Sequence, residues 1–277
     1  MRNYSNFVPV IYSIPDNEIL EPLRGFINKI YCFSKLGESG TSIHNYIEPN
    51  GMAKLILTLE SDISCIFNDS IFFVPKGKLA LAGVFDSTFK VEATKIDPFQ
   101  AIVIEFTPIG SYRFSNINQK KISNKFCSLY EIFGQPAVEI EKQIRHEALL
   151  ESKLLLLQQF LVHCINNTNP DYVFDFCIQH IYHNLEVSTI KELEELTGYS
   201  SRWLNHKFEY RLGISAKTFK SIVRFQTNLH TLASNLRNTI NYNSFYDYYY
   251  DQSHYIKEFK RFAGTTPHKF INDALKS

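Results

Sequence analysis

Two stretches of the chain carry hydrogen-bonding and cationic side chains at helical spacing. Ser200 to Phe219 reads SSRWLNHKFEYRLGISAKTF and Asp251 to Phe270 reads DQSHYIKEFKRFAGTTPHKF, at a constant offset of 51 residues. Leu204 aligns with Tyr255, Phe208 with Phe259, Gly213 with Gly264 and Phe219 with Phe270, without a gap. Each copy has the apolar positions that a helix of about three turns would bury, followed by a glycine able to take the positive φ that ends it. The other face of the first copy carries Ser201, Arg202, Asn205, His206 and Arg211; that of the second carries Gln252, Ser253, Lys257, Lys260 and Arg261. Such a face suits duplex DNA. A guanidinium can make paired hydrogen bonds to guanine and an Asn amide to adenine, while Lys and helix-end hydroxyls hold phosphates. One such helix would pass for an ordinary solvated surface; its in-register duplication does not.

The positioning elements follow from local signals. Ahead of the first copy, the capping box Thr189-x-x-Glu192 opens a short helix that buries Ile190, Leu193 and Leu196 and breaks at Gly198. Helix, glycine turn and polar-faced helix form a helix-turn-helix pattern, whose second helix lies in the major groove. Up to about residue 107 the chain instead alternates. Leu55, Leu57 and Leu59 interleave with Ile56, Thr58 and Glu60, and similar runs at 79–84, 89–94 and 101–106 are separated by Pro49-Asn50-Gly51, Pro75-Lys76-Gly77 and Asp97-Pro98. Short, closely spaced strands predict a barrel or sandwich. After Pro136 the period becomes helical, and 138–165 contains neither Gly nor Pro. The clearest break is Asn166-Asn167-Thr168-Asn169-Pro170-Asp171. The expected fold class is therefore α+β: a β-rich barrel or sandwich domain over 1–135, a connecting helical segment over 136–172, and an all-α domain with two helix-turn-helix units over 173–277.

Composition bounds the function. The 277 residues carry 29 Lys+Arg and 28 Asp+Glu, a formal charge of +1, so any polyanion site must be local. Residues 173–277 hold 13 Lys+Arg against 10 Asp+Glu, which leaves −2 for the rest. The five cysteines are scattered without a C-x-x-C pair, as expected for buried thiols in a reducing compartment. The opening Met1-Arg2-Asn3-Tyr4 lacks an export-signal pattern, and the greasy run at 154–157 ends at Gln158, so a cytoplasmic protein without a membrane span is expected.

The repeat resembles the AraC/XylS family of bacterial transcriptional regulators. The most specific piece is the run Asp251-Gln252-Ser253-His254-Tyr255-Ile256-Lys257-Glu258-Phe259-Lys260-Arg261-Phe262-Ala263-Gly264-Thr265-Thr266-Pro267, similar to the family's second recognition helix and the G-x-x-P after it. Gly198 to Arg202, Phe208, Gly213 and Arg224-Phe225-Gln226 fit as well. The N-terminal part resembles a sensor-like domain of one branch through Glu48-Pro49-Asn50-Gly51, Phe106 to Tyr112 and Leu129 to Gly134. The resemblance implies that Arg202, Asn205 and His206 read bases from the first helix, beside Ser200 and Ser201 at its start, and that Gln252, Ser253, Ile256 and Lys257 do so from the second. It places Lys207, Arg211, Lys260 and Arg261 nearer phosphates. The implied partner is double-stranded DNA, with RNA polymerase, a small-molecule effector and a second copy of the chain as further candidates. One departure falls in the second unit, where Tyr248 stands at the expected turn glycine. Tyr takes a left-handed backbone only at a cost, so this unit is expected to be the less rigid.

Other chemistry finds little footing. His180-x-x-His183 lies on one helix face without a recognisable further ligand, and no nucleophile elbow, phosphate-binding glycine loop or dinucleotide fingerprint occurs. No cofactor, no metal and no enzymatic activity are expected. The aromatics Phe67, Phe72, Phe73, Phe85 and Phe89 could fill the barrel or line a pocket. The Leu-rich run at 149–165 could cap the barrel or pair with its copy. A rival reading makes the N-terminal domain the active part, a binder or enzyme whose helical tail serves protein contacts.

Overall fold

Alternation along the strands gives the N-terminal half two cores. The computed structural model describes residues 10–35, 43–93, 99–185, 188–236 and 252–274. The strands among these residues are β1 (Val10–Ser13), β2 (Ile27–Lys35), β3 (Ile43–Ile47), β4 (Lys54–Thr58), β5 (Ile63–Phe67), β6 (Ser70–Val74), β7 (Leu79–Ala82), β8 (Phe89–Ala93), β9 (Phe99–Phe106) and β10 (Phe126–Ser128). They form an antiparallel six-stranded sheet in the order β1-β2-β9-β4-β7-β10 and a four-stranded sheet in the order β3-β8-β5-β6. Ile56, Ala80, Ala82 and Val103 of the larger sheet point to the core shared with the smaller one. Their neighbours Leu55, Leu57, Leu79, Leu81, Ile102 and Ile104 point the other way, into a second core roofed by helices. The central strands are thus apolar on both faces. In the inner core Phe67, Phe72, Phe85, Phe89 and Phe126 pack ring on ring, with centroids 4.3–5.7 Å apart.

The α-helices among the described residues are α1 (Pro108–Ser115), α2 (Leu129–Phe133), α3 (Gln135–His146), α4 (Leu150–Asn166), α5 (Tyr172–His183), α6 (Ile190–Thr197), α7 (Ser201–Leu212), α8 (Ala216–Leu236), α9 (Gln252–Ala263) and α10 (Pro267–Ala274). The architecture is α+β, a β-sheet domain followed by a helical region. Helix starts earlier than the periodicity predicts. In α1, Pro108, Gly110, Ser111, Tyr112, Phe114 and Ser115 are all buried, so this helix offers no polar face to read. It is set by local chemistry instead: the Gly110 N–H donates to Thr107 Oγ1 at 3.0 Å, and Pro108 has no N–H to satisfy. The run at 138–165 is shared between two helices, α3 and α4. Between them Lys153 Nζ donates to the Ile144 carbonyl at 2.9 Å and to that of Glu147, satisfying the end of α3. The segment holding Tyr248, at 237–251, lies outside the described residues.

The second core does not stop at the domain boundary. It runs from the larger sheet through α1, α4 and α5 to Leu204, Phe208, Phe219, Phe225 and Phe259. Two glycines permit this close approach. Gly51 has φ +74°, and a Cβ there would lie 2.9 Å from the Phe219 ring. Gly213 has φ +91°, and a Cβ there would lie 2.9 Å from the Gln119 carbonyl oxygen. Gly198, with φ +74°, has nothing within 4 Å of such a Cβ. Gly198→Ala should therefore cost only the strain of a left-handed Ala, about 1 kcal/mol. Gly213→Ala should cost more, about 3 kcal/mol, because backbone must also shift. Denaturant unfolding of the two variants checks this order.

Candidate nucleic-acid interface

The first unit is assembled by caps. Thr189 and Glu192 form the reciprocal capping box that opens α6, and Gly198 closes it with a left-handed backbone. Ser200 Oγ accepts the Trp203 N–H at 3.3 Å, which opens α7, and Gly213 closes it. The Ser201 N–H donates to the Glu194 carboxylate and locks the turn between the helices. With Leu204, Phe208 and Leu212 buried, Arg202 and His206 stand exposed one turn apart on the opposite side. Asn205 lies on the flank, half-buried, and its Oδ1 has no hydrogen-bond partner among the described residues. Trp203 stacks on Tyr199 with centroids 3.9 Å apart.

Lys207 and Arg211 turn to the opposite flank. Asp171 Oδ2 receives Lys207 Nζ at 2.9 Å and Arg211 Nε at 2.8 Å, while its Oδ1 caps α5 through the Phe174 N–H. Burial alone would raise the Asp171 pKa, but the hydrogen bonds from the two cations outweigh it and hold the carboxyl below the usual range. The β domain joins the same cluster. Tyr112 of α1 accepts the Asp171 N–H at 2.8 Å and donates to Asp175 Oδ1 at 2.9 Å, and Arg211 lies 4.7 Å from the centre of its ring. Burial pushes the Asp175 pKa up.

The second unit repeats the first along its whole described length. Both α7 and α9 have 12 residues, Gly213 and Gly264 have φ +91° and +66°, and α8 and α10 begin at the equivalent residues Ala216 and Pro267. Tyr255, Phe259, Phe262 and Ala263 are buried, leaving Gln252, Ser253, His254, Ile256, Lys257, Lys260 and Arg261 outside. Arg261 reaches Asp86 of the β domain at 3.4 Å, and the Thr88 hydroxyl donates to the Phe262 carbonyl beside it. What orients α9 is an ion pair that the repeat gives no hint of. Arg224 of α8 binds Glu258 through Nη2 at 2.7 and 2.9 Å and Nε at 3.1 Å, with both side chains largely buried. Phe225, one residue on, packs against Phe259 and Phe262.

The structure thus brings Arg202 and His206 onto one ridge and Gln252, Ser253, Ile256, Lys257, Lys260 and Arg261 onto another. Lys207 and Arg211 are carried off the first ridge by Asp171. His180 and His183 do not converge: the first bonds to Glu192 at 3.0 Å and the second to the Gln179 carbonyl at 2.8 Å. Among the described residues no three His, Cys, Asp or Glu side chains are grouped to hold a metal ion, and no helix is long and apolar enough to cross a membrane. Asp171, Glu258, Tyr112 and Asp86 were not singled out from sequence. For Glu258 a signal existed, because it falls beside Phe259 on the inward flank of an otherwise basic helix.

No protein-family model and no curated protein matches the sequence. Among solved structures the chain is similar to ToxT from Vibrio cholerae O395, at 11% identity over 88% of this chain and 97% of that one, with a TM-score of 0.46. It is similar to wild-type ToxT from Vibrio cholerae strain SCE256 with an unsaturated fatty acid bound, at 11% identity over 87% and 94%, TM-score 0.45. A shorter likeness is to protein NMB1881 from Neisseria meningitidis, at 15% identity over 35% and 83%, TM-score 0.25. No residue role follows from similarity at that level.

Because Arg224, largely buried, would lose the carboxylate that binds its fork, Glu258→Ala should destabilise the seat of α9 by about 3 kcal/mol. Hydrogen exchange should accelerate over 252–263 while remaining unchanged over 201–212.

Proposed function

We propose that this chain is a sequence-specific DNA-binding transcriptional regulator of the AraC/XylS type, in which α7 and α9 enter adjacent major-groove segments of one duplex. The observation that carries this reading is the duplication itself: two 12-residue helices with equivalent buried anchors, equivalent positive-φ glycines and polar outer faces. Arg202 and His206 read bases from α7, with Asn205 beside them. Gln252, Ser253, Ile256 and Lys257 do so from α9. Ser200, Ser201, Lys207, Arg211, Lys260 and Arg261 serve the phosphates. The mechanism is occupancy rather than covalent chemistry. Phosphate contacts supply most of the affinity and the two ridges the choice of sequence. Modulation enters through the β domain, by a small-molecule effector or a protein partner such as a second copy of the chain or RNA polymerase.

Selection of preferred sites from random duplex DNA, followed by binding measured against salt, tests the reading. Affinity should fall steeply between about 50 and 200 mM salt. Arg202→Ala should cost about 1–3 kcal/mol at the selected site and relax the preference at one base pair. Lys260→Ala should weaken selected and random duplexes alike and lower the salt slope by about one. Absence of duplex binding at low salt would contradict the proposal and favour the rival in which the β domain is the active part.

A further inference from the structure

Three of the cations assigned to phosphates already hold carboxylates. Asp171 Oδ2 takes Lys207 and Arg211 together, and both cations are drawn in from solvent, with side chains 24% and 19% exposed. Asp86 takes Arg261 at 3.4 Å, in a more open pair. Each carboxylate is held by more than the cation it binds. Asp171 is fixed by its own capping bond to α5 and by the bond from its N–H to Tyr112 of the β domain. Asp86 belongs to the loop between β7 and β8, where its N–H donates to Asn124 Oδ1 at 2.9 Å and its neighbour Thr88 grips the end of α9. A further ion pair of opposite polarity joins Lys120, in the turn after α1, to Glu209 of α7 at 2.6 Å and ties the β domain to that helix. A carboxylate and a phosphate oxygen are alternative acceptors for the same ammonium or guanidinium. While these pairs stand, Lys207, Arg211 and Arg261 have less to offer DNA.

We propose that Asp171 and Asp86 are internal stand-ins for DNA phosphates, occupying Lys207, Arg211 and Arg261 while the β domain is packed on the helical domain and so holding the chain in a low-affinity state. The inference rests on the reading of α7 and α9 as DNA-binding helices and adds the regulation of that site. It gives the β domain a means of control that needs no contact with bases. Movement of the loop carrying Asp86 releases Arg261 of α9, and a shift of Asp171 away from α7 releases Lys207 and Arg211.

The test uses the full chain, with Asp171→Asn and Asp86→Asn alone and combined. Asn keeps an Oδ1 to cap α5, so the first change removes the competing charge while retaining the helix start. Binding to a random-sequence duplex at about 0.1 M salt should tighten in each variant and by about tenfold or more in the double variant, with the salt slope steeper by about one per cation released. Lys207→Ala should remove about half of the gain in the Asp171→Asn background, Arg211 supplying the rest, yet change the parent little, a coupling that a purely structural ion pair would not show. Equal affinity and slope in the parent and both single variants would overturn the inference while leaving DNA binding intact. Absence of duplex binding by every form would overturn the functional reading and this inference with it. Should Asp171→Asn fail to fold, Asp86→Asn decides, since it alters an exposed pair that contributes little to stability.

Discussion

Under the proposed reading, two helices that enter grooves serve one another only if the distance and rotation between them are fixed, and α8 packs against both. At its first turns Phe219 meets Phe208 of α7, with centroids 6.2 Å apart. Further along, Phe225 meets Phe259 and Phe262 of α9, and Arg224 clamps Glu258. Apolar contact sets how near each helix lies. The forked ion pair sets how α9 is turned, since two acceptors on one guanidinium leave little rotational freedom.

The β domain bears on that same helix. Gln226 of α8 donates to the Pro49 carbonyl at 2.7 Å, and the adjacent Gly51 lets Phe219 pack without a Cβ in the way. The loop that receives α8 is itself organised by a buried carboxylate. Glu105 of β9 accepts from Asn50 and Asn28 at 2.6 Å each and pairs with Lys54 at 3.3 Å. Burial alone would raise the Glu105 pKa, but Lys54 and the two amides outweigh it and keep the carboxyl below its ordinary range. Sheet, loop and long helix are therefore one mechanical path from the strands to both ridges.

The parts legible in sequence were those with a period or a punctuation mark. Leu204 with Tyr255 and Phe208 with Phe259 announced two helices, Gly213 and Gly264 announced their ends, and Thr189 with Glu192 announced the cap of α6. The strands around Leu55, Leu79 and Ile102 were visible because alternate residues serve different cores. What escaped lacked any such repeat. α1 is buried on nearly every side, so no face distinguishes it. Asp171 sits in a polar break that reads as a linker, and only the fold reveals that its carboxylate faces Lys207 and Arg211 from 36 and 40 residues away. Position along a helix showed which residues leave the core; it did not show which flank another domain would claim.

The decisive measurement is chemical protection of guanine N7 across a selected duplex bound by the full chain. Two protected major-groove patches are expected on one side of the DNA, about 10 base pairs apart. A single protected patch, or protection confined to the minor groove, would contradict entry of α7 and α9 into adjacent major-groove segments.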